Sequence, residues 1–257
     1  MENLKIAAQM YTVREFIQTP EGIRESLKKI KEAGYDAVQT SGLGPIGDHE
    51  LKTMVDELGL TICATHVGYE DLKDRMDAVI AQHKLWDCKY VGLGYMPFEF
   101  KDSAEGFKTF AREASRFAKV LNEAGLKFIY HNHSFEFVKF DGVCGMDILL
   151  NECAPEVGFE IDTFWVQHGG ADPIQWIRKV KGRMDVVHFK DMVVEKADKW
   201  VAQAMAEVGE GNLNWQGIIE ACRETGVKWA AVEQDVCKRD PFESLAISRQ
   251  NLRKMGL

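Results

Sequence analysis

Four apolar segments in the second half of the chain end in side chains able to hold a divalent metal: Phe128-Ile129-Tyr130-His131-Asn132-His133, Val157-Gly158-Phe159-Glu160-Ile161-Asp162, Val186-Val187-His188-Phe189-Lys190-Asp191 and Ala231-Val232-Glu233-Gln234-Asp235. Side chains alternate along an extended strand, so residues two apart share a face. This pairs His131 with His133, Glu160 with Asp162, His188 with Lys190, and Glu233 with Asp235. Imidazole nitrogen combined with carboxylate oxygen suits Mn²⁺, Co²⁺, Zn²⁺ or Fe²⁺, whereas an all-oxygen set favours Mg²⁺ or Ca²⁺. One divalent ion, Mn²⁺ first among these, is the expected cofactor.

Taken singly, each residue has an ordinary structural explanation. An isolated strand-end aspartate such as Asp162 is commonly a helix cap or a salt-bridge partner. His188 also follows an apolar run, and its ordinary explanation is a hydrogen-bonded core histidine, the weaker of its two readings. Glu233 follows Ala230-Ala231-Val232, where a buried carboxylate is costly unless a cation or a hydrogen-bond network receives it. Four such endings in succession, each on a different strand, point instead to strand ends converging on one pocket. His66, closing Cys63-Ala64-Thr65-His66, stands at the same kind of position on an earlier strand and is a candidate for substrate contact. Lys190 reads either as an ion-pair partner of Asp191 or as a cation poised near a developing enolate. Glu210, in Gly209-Glu210-Gly211-Asn212, is a loop residue that could reach the pocket.

These endings need a scaffold, and the chain repeats one unit about eight times: an amphipathic helix, a short turn often carrying glycine, and an apolar strand. Glu32-Ala33-Gly34-Tyr35, Glu57-Leu58-Gly59-Leu60, Glu123-Ala124-Gly125-Leu126 and Glu224-Thr225-Gly226-Val227 are its clearest copies. Glycine just past a helix end supplies the left-handed conformation that closes the last turn. The pattern predicts strands near Ile6 to Met10, Ala37 to Thr40, Leu60 to His66, Tyr90 to Leu93, Leu126 to His133, Val157 to Asp162, Asp185 to Lys190 and Trp229 to Gln234. Helical patterns such as Ile23 to Ala33, Asp71 to Trp86, Ala104 to Ala124 and Trp215 to Thr225 lie between them. Mostly apolar strands suit a parallel sheet covered on both faces.

Alternation of this kind gives either an open doubly wound sheet or a closed barrel. No Gly-x-Gly-x-x-Gly follows the first strand, where Gln9-Met10-Tyr11-Thr12-Val13 stands, so a dinucleotide crevice has no support. Eight strands in 257 residues is the count that closes a barrel. The expected fold is α/β, a single (β/α)8 TIM barrel spanning residues 1–257, with its active site at the strands' C-terminal ends. Only six prolines and no Ser/Gly-rich or Pro-rich stretch leave no obvious linker for a domain boundary.

Composition narrows the partners. A formal charge of −8 and scattered basic residues oppose a phosphate backbone, so nucleic acid is not expected. No run approaches the roughly 20 apolar residues that span a bilayer. Met1-Glu2-Asn3-Leu4-Lys5 opens without a charged leader and apolar core, which makes a soluble cytoplasmic protein the expectation. The six cysteines (Cys63, Cys88, Cys144, Cys153, Cys222, Cys237) form no Cys-x-x-Cys pair and read as reduced structural thiols. Trp200 and Trp215 are candidate exposed aromatics for a contact between copies, and a homo-oligomer stays open.

At the strand-end residues the chain resembles the sugar phosphate isomerase/epimerase superfamily, the xylose isomerase-like barrels, over essentially its whole length. The marks are Tyr130-His131-Asn132-His133 with Phe135-Glu136-Phe137, Asp162-Thr163-Phe164-Trp165, His188-Phe189-Lys190-Asp191, Gly209-Glu210-Gly211-Asn212 with Trp215, and Val232-Glu233-Gln234-Asp235. That family typically holds its metal with a glutamate after strand five, an aspartate after strand six, a histidine after strand seven and a glutamate after strand eight. Asp162, His188 and Glu233 match the last three, and His131 stands at the first. The resemblance therefore implies His131, Asp162, His188 and Glu233 as ligands, with Glu233, His131 and Lys190 catalytic. His66, His133, Glu136, Trp165 and Glu210 are the substrate-facing candidates.

Two departures matter. Ketose 3-epimerases of this family use two opposed metal-bound glutamates, and here only Glu233 is in place; His131, His133 or a returning Glu136 could serve at strand five. Trp165 stands where those epimerases tend to carry a substrate-binding histidine. The Tyr-His-Asn-His variant is more similar to the branch with inosose dehydratases and 3-keto-glycoside lyases. The common step is removal of a proton next to a carbonyl polarised by the metal, giving an enediolate. A metal-dependent isomerase or epimerase acting on a small sugar or keto sugar is the first expectation, and a lyase using the same enediolate is its rival. Metal-dependent endonucleases of abasic DNA share the barrel but gather more histidines and meet an acidic surface poorly; a non-catalytic sugar-binding barrel is the remaining class.

Overall fold

The barrel strands are short and mostly apolar, as strands covered on both faces must be. The computed structural model describes residues 4–257; residues 1–3, on which the reading of the chain's opening partly rests, lie outside the described residues. The strands are β1 (Lys5–Gln9), β2 (Ala37–Thr40), β3 (Thr61–Val67), β4 (Tyr90–Leu93), β5 (Lys127–His131), β6 (Gly158–Glu160), β7 (Val186–Phe189) and β8 (Trp229–Val232). They pair in parallel around a nearly closed barrel in the order β6-β5-β4-β3-β2-β1-β8-β7. The seam between β6 and β7 is closed by one parallel bridge, Asp162 to His188.

The helices are α1 (Pro20–Glu32), α2 (Asp48–Glu57), α3 (Tyr69–Asp74), α4 (Met76–Leu85), α5 (Ala104–Glu123), α6 (Gly145–Glu152), α7 (Thr163–His168), α8 (Pro173–Lys179), α9 (Trp215–Thr225) and α10 (Pro241–Lys254). The four helix-end glycines take the expected left-handed turn, with φ of 93°, 59°, 84° and 80° at Gly34, Gly59, Gly125 and Gly226. An apolar shell between helices and sheet holds most of the core, including Phe107, Phe117 and Phe128. A second, smaller cluster fills the barrel floor with Ala7, Ala37, Ala64, Ile129, Val186 and Ala231. Two residues further along the same strands stand Gln9, Gln39, His66, His131, His188 and Glu233. Alternation thus places a ring of polar side chains directly above an apolar floor.

Four local expectations differ from the structure. Met10 leaves β1 and begins a 3-10 helix, Met10–Phe16, whose first turn is capped by the Gln9 side chain accepting from the Tyr11 amide. The run Asp71 to Trp86 is two helices, interrupted at Arg75 (φ −132°, ψ 29°), and no glycine or proline announces the break. A hairpin of Asp191–Lys196 and Val201–Ala206 and a shorter one of Lys139–Phe140 and Val143–Cys144 interrupt the simple repeat. Trp215 is buried at 6% exposure, its indole nitrogen donating to Asp191 Oδ2 at 2.6 Å, so only Trp200, 81% exposed, is a free surface aromatic of the two.

Candidate active site

The site begins at the β6–β7 seam. Asp162 ends the β6 segment by capping α7, its Oδ1 accepting from the Trp165 amide at 2.9 Å. The helix-cap explanation for this residue is therefore true and incomplete. The other oxygen, Oδ2, turns into the barrel mouth, 3.1 Å from His131 Nε2 and 3.0 Å from Lys190 Nζ. Asn132 supports it from behind by accepting the Asp162 amide through Oδ1 at 3.0 Å. His188 Nδ1 lies 2.9 Å from Glu233 Oε2 and 3.8 Å from Asp162 Oδ2.

His131, Asp162, His188 and Glu233 each offer one ligand atom, and these atoms all lie within 4.8 Å of one another on buried residues. Two imidazole nitrogens and two carboxylate oxygens are a donor set that fits one divalent cation. Buried Asp162 and Glu233 need a positive partner, and Lys190 already supplies one. The four residues fit the ion that the sequence resemblance implies.

Lys190 shares those carboxylates. Its Nζ is 3.0 Å from Asp162 Oδ2, 2.8 Å from Glu233 Oε2 and 3.0 Å from Asp235 Oδ2. Burial pulls the ammonium down, but Asp162, Glu233 and Asp235 outweigh it and hold Lys190 above its usual range. Asp191 is not its partner. The Asp191 carboxylate instead accepts from the amides of Gly209, Gly211 and Leu213 and from the Trp215 indole, organising the Gly209-Glu210-Gly211-Asn212 loop. A side chain at Gly211 would put its Cβ 2.3 Å from Asp191 Oδ1, which explains the glycine.

A second polar layer lies beneath. Glu160 is fully buried; its Oε2 is 2.6 Å from His66 Nε2, and its Oε1 accepts from Gln39 Nε2 at 2.9 Å. Gln39 Oε1 in turn lies 2.8 Å from His188 Nε2. Burial alone raises the Glu160 carboxyl, yet His188 and His66 overcome it and keep the group well below the usual carboxylate range. His188 moves the opposite way, burial lowering it while Glu160 and Glu233 carry it up to about 10. Gln39 and this role of Glu160 were missed from sequence. The same two-residue alternation, continued onto β2 and one step down β6, is the signal that finds them.

A cleft of about 730 Å³ opens above these layers. His66, His131, His133, Trp165, Lys190 and Glu233 line it, with Asp235 and Arg14 beside them. His133 Nδ1 and Trp165 Nε1 are buried polar atoms without a protein partner among the described residues. Burial, then His131 and Lys190, drive His133 down to about 2, so it is neutral in the cleft. Burial and His188 likewise lower His131. Burial and Glu233 raise Asp235 to about 6.

Two sequence candidates stand elsewhere. Glu136 is buried beneath the β5 loop, its Oε1 accepting from the Tyr130 hydroxyl at 2.6 Å and its Oε2 from the His133 amide at 2.9 Å. It shapes the Tyr-His-Asn-His turn rather than returning a carboxylate to strand five. Glu210 turns outward to Arg239, whose NH1 donates to its Oε2 at 2.9 Å, because the Asp191 cage holds its loop by the backbone.

A family model described as a xylose isomerase-like TIM barrel matches residues 27–255. Among curated relatives, an inosose dehydratase of Lacticaseibacillus casei is 29% identical over 143 residues, which are 50% of this chain and 47% of that protein. The chain spans about half the length of the curated relative it matches there. A solved sugar phosphate isomerase/epimerase from Parabacteroides distasonis superposes with a TM-score of 0.80 at 23% identity, covering 98% of each chain. A xylose isomerase-like TIM barrel protein from Mycobacterium smegmatis, solved in complex with magnesium, gives a TM-score of 0.76 at 14% identity, covering 98% of this chain and 96% of that one. At such identities the solved structures speak for the fold.

Proposed function

The chain belongs to the xylose isomerase-like TIM barrel family, and from that premise we propose that it is a divalent-metal-dependent enzyme that removes a proton next to the carbonyl of a small keto sugar or inosose. The observation that carries this reading is the convergence of His131, Asp162, His188 and Glu233 at one buried point on the cleft floor. A divalent ion held by these four residues would supply Lewis acidity toward a carbonyl oxygen. The side chains of the cleft do the rest.

Glu233 lines the cleft and takes the proton. Lys190, fixed between Asp162 and Glu233, keeps a permanent positive charge beside the oxygen on which negative charge grows. His133 Nδ1 and the Trp165 indole N–H, both without partners among the described residues, offer hydrogen bonds to substrate hydroxyls, and the Trp165 face covers the ring. Residues 1–257 serve as one catalytic domain in this reading, cytoplasmic and acting on a small molecule.

Elimination is the outcome we favour. With His131 at strand five, the metal arc presents no carboxylate opposed to Glu233, and β-elimination of a hydroxyl needs one base and a proton for the leaving oxygen. Isomerisation or epimerisation is the second reading, and His66 is the observation in its favour: it reaches the cleft from β3, its ring centroid 5.3 Å from that of His188 and 5.2 Å from that of His131, close enough to serve as a second proton carrier. Incubating the metal-loaded protein with inososes and keto sugars in deuterated water separates them. An enone absorbance supports the lyase, and solvent deuterium in an intact sugar supports the isomerase. Neither signal from protein with a full complement of metal refutes the proposal.

A further inference from the structure

Two cationic side chains, Lys190 and Arg14, line the cleft, and they are held in different ways. Lys190 is engaged by carboxylates, with Asp162, Glu233 and Asp235 all within 3.0 Å of its Nζ. Arg14, on the 3-10 helix after β1, pairs with no carboxylate among the described residues. Backbone holds it instead. Its Nη1 donates to the Tyr11 carbonyl at 3.1 Å and to the Asp235 carbonyl at 3.0 Å, and the guanidinium lies over the Tyr11 ring, 4.5 Å from the centroid. Both hydrogens of Nη1 therefore have acceptors. Nε and Nη2, the edge whose parallel N–H groups match the two oxygens of an oxyanion, have none among the described residues.

The surrounding wall fixes this edge in place. Gln18 Nε2 donates to the Arg14 carbonyl at 2.7 Å and to the Gly42 carbonyl at 3.0 Å, tying the 3-10 helix to the loop that follows β2. Gly42 has a left-handed φ of 68°, and a Cβ there would stand 3.1 Å from the Tyr11 ring and 3.5 Å from Arg14 Cβ, so the loop closes on this pair best without a side chain. Ser41, next to Gly42, adds a hydroxyl to the cleft lining. Asp235 joins this wall to the reacting centre, since its carbonyl holds Arg14 while its carboxylate holds Lys190 at 3.0 Å.

We propose that Arg14 is a specificity-determining residue that binds an anionic substituent of the substrate, a carboxylate or a phosphate monoester, through Nε and Nη2. The substrate class narrows to keto sugars that carry a negative charge a short way from the reacting carbonyl. A neutral substrate leaves the fixed guanidinium facing water. An oxyanion gains two parallel charge-assisted hydrogen bonds from a group already ordered by Tyr11, Gln18 and Asp235. Lys190 does not serve here, because three carboxylates already neutralise it. The keto-sugar part of this assignment rests on the reaction proposed above; the anion site rests on Arg14 alone.

Titration calorimetry of the full-length protein, with and without Mn²⁺, against fructose, fructose 6-phosphate and 5-keto-gluconate tests it. At least one of the two anions is expected to bind about tenfold or more tighter than fructose, with an affinity that falls as salt rises, and Arg14→Gln is expected to abolish the difference. The phosphate and carboxylate arms tell the two sources apart. Arg14→Lys, which keeps the charge and loses the fork, is expected to retain only part of the preference. Equal binding of fructose and both anions overturns the inference, as does no binding of either anion at millimolar concentration or a preference that survives in Arg14→Gln. Should Arg14→Gln not fold, the native panel and Arg14→Lys still decide. A neutral inosose turned over equally well by the native protein and Arg14→Lys, with no anion preference, sinks this inference and spares the reaction; an anion preference in protein whose four-residue cluster takes up no metal does the reverse.

Discussion

Replacing Lys190 by methionine should destabilise the chelated protein strongly and strengthen its grip on metal. The ammonium is 1% exposed and stands 3.0, 2.8 and 3.0 Å from Asp162, Glu233 and Asp235. Methionine keeps the length of the stem and removes the charge, leaving these carboxylates to one another and to His188. Removing one partner of a buried charge cluster costs about 3–5 kcal/mol. For a chain of this length each kcal/mol lowers Tm by roughly 2–4 °C, so the expected loss is about 6–20 °C in chelator. Unneutralised buried carboxyls are raised above their unfolded values, so their penalty is largest at high pH and shrinks as the pH falls toward their protonation. A divalent ion then becomes the main cation for the cluster. Its addition should raise the Tm of Lys190→Met by several degrees more than that of the native protein, and titration calorimetry should show tighter binding, tenfold for each 1.4 kcal/mol of competition removed. Turnover should fall all the same, because the charge beside the reacting oxygen is gone. Thermal melts with chelator and with Mn²⁺ decide the matter. A variant that melts with the native protein in chelator, or gains no extra stability from Mn²⁺, would refute the view that Lys190 and the metal compete for the same oxygens.

Three further outcomes are expected. His131→Ala and Asp162→Ala should each lose at least tenfold in metal affinity by equilibrium dialysis, and full metal in both would show the ligand set to be wrong. Glu136 is raised from 4.5 to about 7, chiefly by burial and against the pull of the Tyr130 hydroxyl and His133 amide. Its folded-state proton therefore stabilises the protein fully below pH 4.5, and about 3 kcal/mol of that is lost as the pH rises to about 7. Denaturant unfolding of Glu136→Gln should lack this component, so parallel pH slopes for variant and native protein would contradict it. Asp191→Asn, which turns one acceptor of the Gly209–Trp215 cage into a donor, should cost about 2–4 kcal/mol while metal affinity stays within about threefold of native; a loss of metal without a loss of stability would place Asp191 in the site instead.

The barrel was legible because its rules are local. Helix-end glycines such as Gly34 and Gly226 mark where helices stop, and the strand runs that follow lack a dinucleotide turn, so alternation and the count of units lead to a closed parallel barrel. The candidate ligands were legible for the same reason: His131, His188 and Glu233 sit two residues past Ile129, Val186 and Ala231, and a period of two must put each pair on one face. Chain patterning alone could not say which inward residues meet. That depends on barrel closure and on the stagger of its strands, which set Gln39 against Glu160 and His188 across distances of 121 and 149 residues. Nor could it separate Asp191 from Lys190 or recognise Glu136 as a support, because each answer depends on which donors a distant loop delivers. Sequence by itself determined the scaffold and the inventory of metal-binding groups, since both follow from backbone periodicity. Only the tertiary structure decided the partners, since hydrogen bonds and ion pairs are settled over a few ångströms between residues that the chain holds far apart.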